Sequence, residues 1–482
     1  MDCQNNFYID NLDEEEAWHL FKKIAGSCVE GHDLKSLAFD VAKERGGLPI
    51  AIVTIAKTLK NKEEYEWKSA LQELQHPSFE SLEESVATKA YSCIKLSYNH
   101  LETEELKSTF LLCCIMVFIY DASVEGLLRY GMGLRLFNTI TTMEATRNRV
   151  NTLIQRLKKS CLLLDTTEVE RFAMYDVVRD VGRSIAQRDR NMFIVKNDLA
   201  LRDLKKKNTL KNCTSITLLD IAKYPGELDC PQLTFFYMKS KTRLHKVPEN
   251  FFRGMPNLEV LHLIDMVLSL LPASLGSLKK LRTLYLDWCH LEDIAGIKDM
   301  GNLEILVLSS NIELLPKEIG QLTRLKVLKL SNCYDLKVIP PPYISRLIQL
   351  EELYLNYKFD NWHVEGLNTE RKNASLDELE HLSQPTTLQI CIQDAKVVPK
   401  GLIFQKLQSY KIYIGVEQLN CYNWYKTSRL LQLNYCYSWY KTDIADANIS
   451  VDDGVIKQLK GIEELHLNGM QGVKNVLYEL KS

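Results

Sequence analysis

The sequence predicts an α+β multidomain chain in which a helical bundle and a winged-helix domain precede an α/β solenoid of stacked repeats. Three observations support this organisation. Amphipathic helices dominate residues 1–160, a short hairpin pattern follows them, and a leucine pattern then recurs at nearly constant spacing. At 482 residues the chain is also too long for one core, because a domain usually holds about 100 to 200 residues.

The first predicted helix covers residues 12–25. Asp13 stands at the N-cap position and Glu16 follows three residues later, which is the spacing of a capping box. A second helix follows the segment Arg45-Gly46-Gly47-Leu48-Pro49, where the glycines permit a tight turn and the proline fits the first helical position. We therefore predict a helical bundle over residues 1–87.

Further helices are predicted up to residue 160. The longest apolar run, residues 110–120, has 11 residues, whereas a bilayer span needs about 20, so we predict a core helix. The segment "CLLLDTTEVERFAM" then combines two short apolar strands with a polar turn, which predicts a hairpin. Helices followed by a hairpin indicate a winged-helix domain over residues 88–200, with a linker at 201–230.

The repeats are the strongest signal in the chain. One L-x-x-L-x-L pattern starts at Leu258, Leu281, Leu303, Leu325 and Leu350, at offsets of 23, 22, 22 and 25 residues. This spacing is typical of leucine-rich repeats. The ninth position of three repeats holds a residue that can cap the turn after the strand, namely Cys289, Asn311 and Cys333. We assign residues 231–482 to the solenoid.

Composition excludes several classes of function. A formal charge of -2 and 25% charged residues give no reason to expect a nucleic-acid partner. The N-terminal residues lack a secretory signal and no run is long enough to span a membrane, so we expect a cytoplasmic protein. The 13 cysteines form no C-x-x-C pair, which predicts reduced thiols and no metal site, and no catalytic motif favours an enzyme.

Two short motifs resemble those of a known family. "GGLPIA" at residues 46–51 and "MYD" at residues 174–176 resemble the Gly-Leu-Pro-Leu and Met-His-Asp motifs of the plant intracellular immune receptors that join an NB-ARC module to leucine-rich repeats. "KLSYNHLETEELKSTFLLCC" and "KKSCLLLD" resemble the helical motif and the winged-helix (ARC) end of that module. The resemblance extends over nearly the whole chain and implies a role in innate immunity and plant defence.

The resemblance also implies a nucleotide site. In that family ADP or ATP is held between a P-loop, the Gly-Leu-Pro loop and the Met-His-Asp histidine. Gly47, Leu48 and Pro49 would then lie near nucleotide, with Tyr175 in the place of the histidine beside Asp176. The chain begins after the P-loop and the magnesium-binding strand would have ended, so we expect the ADP/ATP switch to be largely lost.

Two alternatives stay open at Tyr175 and Asp176. A tyrosine hydroxyl donates one hydrogen bond but does not become cationic near neutral pH, so it contacts phosphate less well than histidine. Asp176 can instead cap the helix, with Asp176–Arg179 and Asp180–Arg183 as i,i+3 pairs. The same helix offers no net basic face, because its arginines alternate with aspartates, and this argues against DNA binding.

The leucine-rich repeats predict a protein-binding surface. In each strand the leucines point into the core and the alternate residues face outward on the concave sheet. We expect that surface to hold His262, Tyr285, Asp287, Trp288, Lys329, Glu352, Tyr354 and Tyr357. Exposed aromatic residues among mixed charges are typical of protein interfaces, although a merely solvated surface is the alternative.

Two functions follow from these features. The first is a plant immune receptor, or a fragment of one, whose repeats recognise a pathogen effector or a host protein. The second is a nucleotide-independent interaction module, such as a decoy or a regulator of full-length receptors. Titration with labelled ADP separates the two, because the second predicts no saturable binding.

Overall fold

The computed structural model describes most of the chain. The described residues are 12–43, 48–75, 86–119, 121–137, 140–168, 170–206, 208–221, 226–244, 247–355, 359, 362–363, 373–392, 407–414, 429–434 and 464–468. They divide into two compact units. The first unit comprises Met1–Gly131, Arg135–Ile140 and Ala145–Asn191, and the second comprises Met132–Leu134, Thr141–Glu144 and Met192–Ser482.

Helices dominate the first unit. In chain order the α-helices within the described ranges are α1 (Glu14–Ala25), α2 (His32–Lys43), α3 (Pro49–Leu59), α4 (Glu64–Gln75), α5 (Val86–Asn99), α6 (Glu104–Phe118), α7 (Val124–Gly133), α8 (Met143–Lys159), α9 (Asp176–Arg190) and, in the second unit, α10 (Asp198–Lys206). In the part of the chain that the structure describes, none of these helices is both long and apolar enough to cross a membrane.

The predicted capping box at the start of α1 is confirmed. The Asp13 carboxylate accepts a hydrogen bond from the Glu16 N–H at 2.8 Å, and the Glu16 carboxylate accepts one from the Asp13 N–H at 3.2 Å. Two of the four free N–H groups of the first helical turn are linked in this way, which fixes where the helix begins. Phe21 on the apolar face of α1 packs edge-on against Trp67 of α4, with ring centroids 6.1 Å apart.

The predicted core helix is α6, and its apolar run is buried on nearly every side. Thr103 caps it, because its hydroxyl accepts a hydrogen bond from the Leu106 N–H at 3.1 Å. Helix α9 packs closely against it at Gly182. A Cβ atom at Gly182 would lie 2.3 Å from Cys114 Sγ and 3.1 Å from Phe110 Cζ, so this contact requires glycine.

The predicted hairpin after α8 is present but short. Leu164 and Ala173 form an antiparallel bridge, in which the Leu164 N–H donates to the Ala173 carbonyl at 2.7 Å. Arg171 forms a second antiparallel bridge with Ser123. A winged-helix arrangement of this region stays a prediction.

The second unit is built on one parallel sheet whose strands follow chain order. Its strands within the described ranges are β1 (Met192–Val195), β2 (Ser215–Ile221), β3 (Phe235–Leu244), β4 (Val260–Leu270), β5 (Thr283–Asp293), β6 (Ile305–Ser310), β7 (Val327–Leu330), β8 (Glu352–Leu355), β9 (Thr387–Ile392), β10 (Ser409–Ile414), β11 (Arg429–Asn434) and β12 (Glu464–Asn468). Short 3₁₀ helices occur in the return segments between β4 and β9. Each repeat thus supplies one strand, as the sequence pattern predicts.

The repeated leucines form the core of this solenoid. Those that start the five regular repeats are at most 1% exposed. Ninth-position residues tie each turn to the turn beside it, because the Cys333 thiol donates to the Leu308 carbonyl at 3.4 Å and the Asn311 amide oxygen accepts from the Leu291 N–H at 3.1 Å. The predicted capping role of this position is therefore confirmed.

The sheet begins earlier than the leucine pattern predicts. Residues 201–230, expected to form a linker, include β2 and most of α10, and β1 precedes them, so this part of the prediction is wrong. These strands bury Phe193, Val195, Ile216 and Leu218 in the solenoid core without an L-x-x-L-x-L pattern. Because β-branched and aromatic residues fill the same space, leucine spacing alone misses them.

Candidate functional site

Tyr175 stands at the N-cap of α9 and makes no side-chain capping bond. Its side chain is 49% exposed. Asp176 is the first helical residue, and its carboxylate accepts a hydrogen bond from the Arg179 guanidinium at 2.5 Å. The expectation that Asp176 caps the helix is therefore wrong, since this side chain bonds to arginine and the N-cap is one residue earlier.

Arg179 connects several groups on the surface of the first unit. It bonds Asp180 at 3.2 Å as well as Asp176, so the i,i+3 pair expected between Asp180 and Arg183 is replaced by a contact between adjacent residues. The guanidinium groups of Arg179 and Arg183 also lie 5.0 and 5.3 Å from the centroid of the Phe118 ring. These contacts hold the start of α9 against the end of α6.

The other segment that resembles a nucleotide contact is the start of α3. Pro49 is the first residue of α3, as the sequence predicts, and its side chain is exposed. Leu48 is the half-buried N-cap residue. Gly47 lies outside the described residues. Both α3 and α9 pack against α5. A nucleotide contact by these residues stays a prediction.

On the repeat sheet, the residues that alternate with the leucines align in columns across the strands. The central column runs through Thr217, Tyr237, His262, Tyr285, Val307, Lys329, Tyr354, Gln389 and Lys411. Its first five members are buried and its last four are half-buried. The accessible part of this column therefore starts at β7.

Three of the residues that we expected to face solvent are buried. His262 is 4%, Tyr285 5% and Glu352 0% exposed, so the expectation of accessibility is wrong for them. The His262 ring lies between the Tyr237 and Tyr285 rings, at centroid distances of 4.8 and 4.7 Å. Large side chains on adjacent strands cover one another because parallel strands lie only about 5 Å apart.

Hydrogen bonds also hold these buried groups. The His262 Nε2 atom lies 2.9 Å from an Asp287 carboxylate oxygen. The Tyr354 hydroxyl donates to the Glu352 carboxylate at 2.9 Å. A buried charge or ring nitrogen needs such a partner, so His262 and Glu352 contribute to the structure of the sheet rather than to its accessible surface.

The remaining predicted surface residues are accessible to different degrees. Trp288 is 58% exposed, Lys329 and Tyr354 are half-buried, and the Asp287 side chain is 23% exposed. The Lys329 ammonium lies 5.6 Å from the centroid of the Tyr354 ring, which is a cation–π distance. Tyr357 lies outside the described residues.

The structure adds acidic residues that the sequence pattern did not single out. Asp265 on β4 occupies the same repeat position as Trp288 on β5, and both have a positive φ, 59° and 55°. Asp335 follows β7 and is exposed beside Tyr334, which is 41% exposed. Asp265 lies one residue before the ninth repeat position and Asp335 two residues after Cys333, which holds that position, so no single repeat position marks both in the sequence.

Sheet order and ninth-position bonds define the second unit as a solenoid of leucine-rich repeats. The profile of the Leucine rich repeat family matches residues 240–291. Among solved structures, internalin C2 of Listeria monocytogenes covers 43% of this chain and 83% of its own, at 13% identity and a TM-score of 0.33. A score this low adds no support, so the fold assignment rests on the strand order.

The relatives of the chain are plant disease resistance proteins. It is 28% identical over 421 residues to Disease resistance protein At4g27190 of Arabidopsis thaliana, covering 84% of this chain and 42% of that protein. It is 29% identical over 387 residues to Disease resistance protein RPS5 of the same plant, covering 72% of this chain and 43% of that protein. The chain is thus similar to plant disease resistance proteins over most of its length, and it spans about two fifths of the length of these two relatives.

Proposed function

We propose that the chain acts in plant defence as an immune receptor or as part of one, in the cytoplasm, and that its repeats recognise a pathogen effector or a host protein. The observation that supports this most is the similarity to disease resistance proteins over 84% of the chain. The chain carries more than a repeat array, because the similarity extends beyond the residues of the second unit alone.

The accessible part of the strand face is the proposed recognition surface. Lys329, Tyr354, Gln389 and Lys411 are half-buried and aligned on four successive strands. Tyrosine and long polar side chains that share one face can contact a partner with apolar area and hydrogen bonds at once. The buried members at Tyr237, His262 and Tyr285 hold the neighbouring strands in place.

Plants in which the gene is disrupted provide the test. Complementation with the wild-type chain should restore resistance to at least one pathogen in a panel, whereas Tyr354→Ala should restore less, because it removes the aromatic ring at the centre of the surface. Lys317→Ala is the matched control, since this exposed residue lies on a 3₁₀ return segment. Unchanged pathogen growth in the disrupted line would refute a role in defence.

A nucleotide-independent role is the second candidate. A phosphate binds well at a helix N-terminus because free N–H groups and the helix dipole attract anions. At the start of α9, however, the Asp176 carboxylate adds a negative charge, and Arg179 already bonds Asp176 and Asp180. This arrangement favours an interaction module that needs no ADP or ATP.

Calorimetric titration with ADP distinguishes the two forms of the proposal. A nucleotide-independent module gives no saturable heat, and Tyr175→His leaves the result unchanged. Saturable binding that Tyr175→Ala weakens would instead support the nucleotide contact that the family resemblance implies.

A further inference from the structure

The strand ends of the central repeats form a strongly acidic edge, defined here as residues 264–270, 287–293, 309–314 and 331–338. Its acidic residues are Asp265, Asp287, Glu292, Asp293, Glu313 and Asp335. Its one lysine, Lys337, pairs with Glu313 at 3.1 Å. The whole chain carries 60 basic and 62 acidic residues, so this local excess of negative charge departs from its average.

Three of these carboxylates act on one or both of two buried thiols. Burial, together with the charges of Asp287 and Asp265, raises the pKa of Cys289 to about 12. Burial and the charges of Asp287 and Asp335 likewise raise the pKa of Cys333 to about 11. Because Cys289 and Cys333 occupy the same repeat position, the three carboxylates lie along a single edge of the solenoid.

An exposed indole lies within this edge. Trp288 is 58% exposed, although tryptophan is normally among the more buried residues. Its φ of 55° is in the left-handed region, which is unfavourable for a bulky side chain. Asp265 and Asp287 flank it, one at the same position of the preceding repeat and one as its chain neighbour.

A buried polar group points to a ligand at the same place. The Ser309 hydroxyl is 1% exposed and has no hydrogen-bond partner among the described residues. Ser309 pairs in register with Asp287, so both side chains lie on the same face of adjacent strands. A buried hydroxyl without a partner is unfavourable, and a donor from a bound molecule would relieve that cost.

From this edge we infer that the repeats bind a basic segment of a partner protein, with an arginine side chain stacked on Trp288 and paired with Asp265 and Asp287. The inference rests on the proposed role of the repeats in protein recognition and specifies the chemistry of the partner. A guanidinium group fits best, because its flat face stacks on an indole while its N–H groups reach carboxylates at the rim. The acidic edge ends at β4, because the neighbouring strand β3 carries Lys239 and Lys241.

The test uses the full chain and a fluorescein-labelled octapeptide of alternating arginine and glycine, titrated by fluorescence anisotropy. Trp288→Ala should weaken binding by about 3- to 30-fold, which is the range expected for loss of a cation–π contact. Asp265→Asn should weaken peptide binding by about 2- to 5-fold, and the affinity of this variant should depend less on salt concentration than that of the wild type. The lysine analogue of the peptide should bind less tightly than the arginine peptide.

Two substitutions elsewhere on the second unit serve as controls. Ile348→Ala removes an apolar side chain that is 56% exposed, and Glu380→Gln removes an exposed negative charge on a 3₁₀ helix. Both should bind the peptide as the wild type does. Equal affinity of Trp288→Ala and the wild-type chain, or equal weakening by the controls, overturns the inference.

The outcome is separable from that of the proposed function. If the peptide does not bind and Trp288→Ala complements disrupted plants fully, the basic partner is wrong while the role in defence stands. If the wild-type chain itself fails to complement, the role in defence is wrong whatever the titration gives. Trp288 is exposed, so Trp288→Ala should leave the urea midpoint of the chain unchanged. If the midpoint shifts, the peptide affinity of Trp288→Leu is compared with that of the wild type instead.

Discussion

Three charged side chains from successive repeats form a buried ion triad whose disruption should destabilise the solenoid. The Glu304 carboxylate lies 2.6 Å from the Arg282 guanidinium and 3.6 Å from the Lys326 ammonium. The three side chains are 9%, 19% and 15% exposed. Glu304→Ala would leave two largely buried cations without their anion, and we expect a loss of about 3 to 5 kcal/mol.

Urea denaturation followed by circular dichroism measures this loss. With an m-value of about 3 kcal/mol/M, the unfolding midpoint of the repeat unit should fall by about 1 to 2 M. A high salt concentration should change this shift little, because buried ion pairs are poorly screened. Glu380→Ala, which removes an exposed carboxylate on a 3₁₀ helix, should stay within about 0.5 kcal/mol of the wild type.

A triple variant separates charge from packing. Arg282→Met, Glu304→Leu and Lys326→Met together replace the triad by apolar side chains of similar volume, which is often neutral or stabilising by about 1 to 4 kcal/mol. The single Glu304→Ala variant should therefore be less stable than the triple variant. Equal urea midpoints for Glu304→Ala and the wild type would refute the role of the triad. Equal losses of stability in the single and the triple variant would mean that the loss comes from packing and not from charge.

Three further predictions concern the cores of the two units. Gly182→Ala should destabilise the first unit by about 1 to 3 kcal/mol in thermal unfolding, because the added Cβ atom would lie 2.3 Å from Cys114 Sγ. An unchanged unfolding midpoint would mean that α9 does not pack closely against α6 at this residue. Leu306→Ala should lower the urea midpoint by an amount equivalent to about 2 to 5 kcal/mol, since its side chain is fully buried in the repeat core, whereas Ile348→Ala should not. Burial raises the pKa of Cys213 and Cys289 to about 12, whereas the thiol of an unfolded cysteine ionises near pH 8.5, at about its usual pKa. The folding stability should therefore fall as the pH rises from about 9 towards 12. Alkylation of these two buried thiols at about pH 8 should accordingly require urea.

The sequence by itself determined the repeat architecture and much of the local structure. Leucine spacing located the strands from β4 to β8, because only inward-facing positions must be apolar in every repeat. The capping box at Asp13 and the helix start at Pro49 were also predictable, since both depend on residues close together in the chain. The disease resistance relatives agree with the short motifs that first suggested this family.

Only the tertiary structure decided which side chains of the strand face are accessible. Alternation assigns His262 and Lys329 to the same column, yet His262 is covered by Tyr237 and Tyr285, whereas Lys329 is partly open. Accessibility depends on which residues lie on the neighbouring strands, about 22 residues away in the chain, and a pattern within one strand cannot contain that information.

The same reason explains the acidic edge and the ion triad. Asp265, Asp287 and Asp335 are single aspartates in the sequence and come near the thiols of Cys289 and Cys333 only when the repeats stack. Arg282, Glu304 and Lys326 hold one repeat position in three successive turns, so their charges meet across the stack and not along the chain. Periodicity fixed the backbone of this protein, and the lateral packing of one repeat on the next determined the chemistry of its surface.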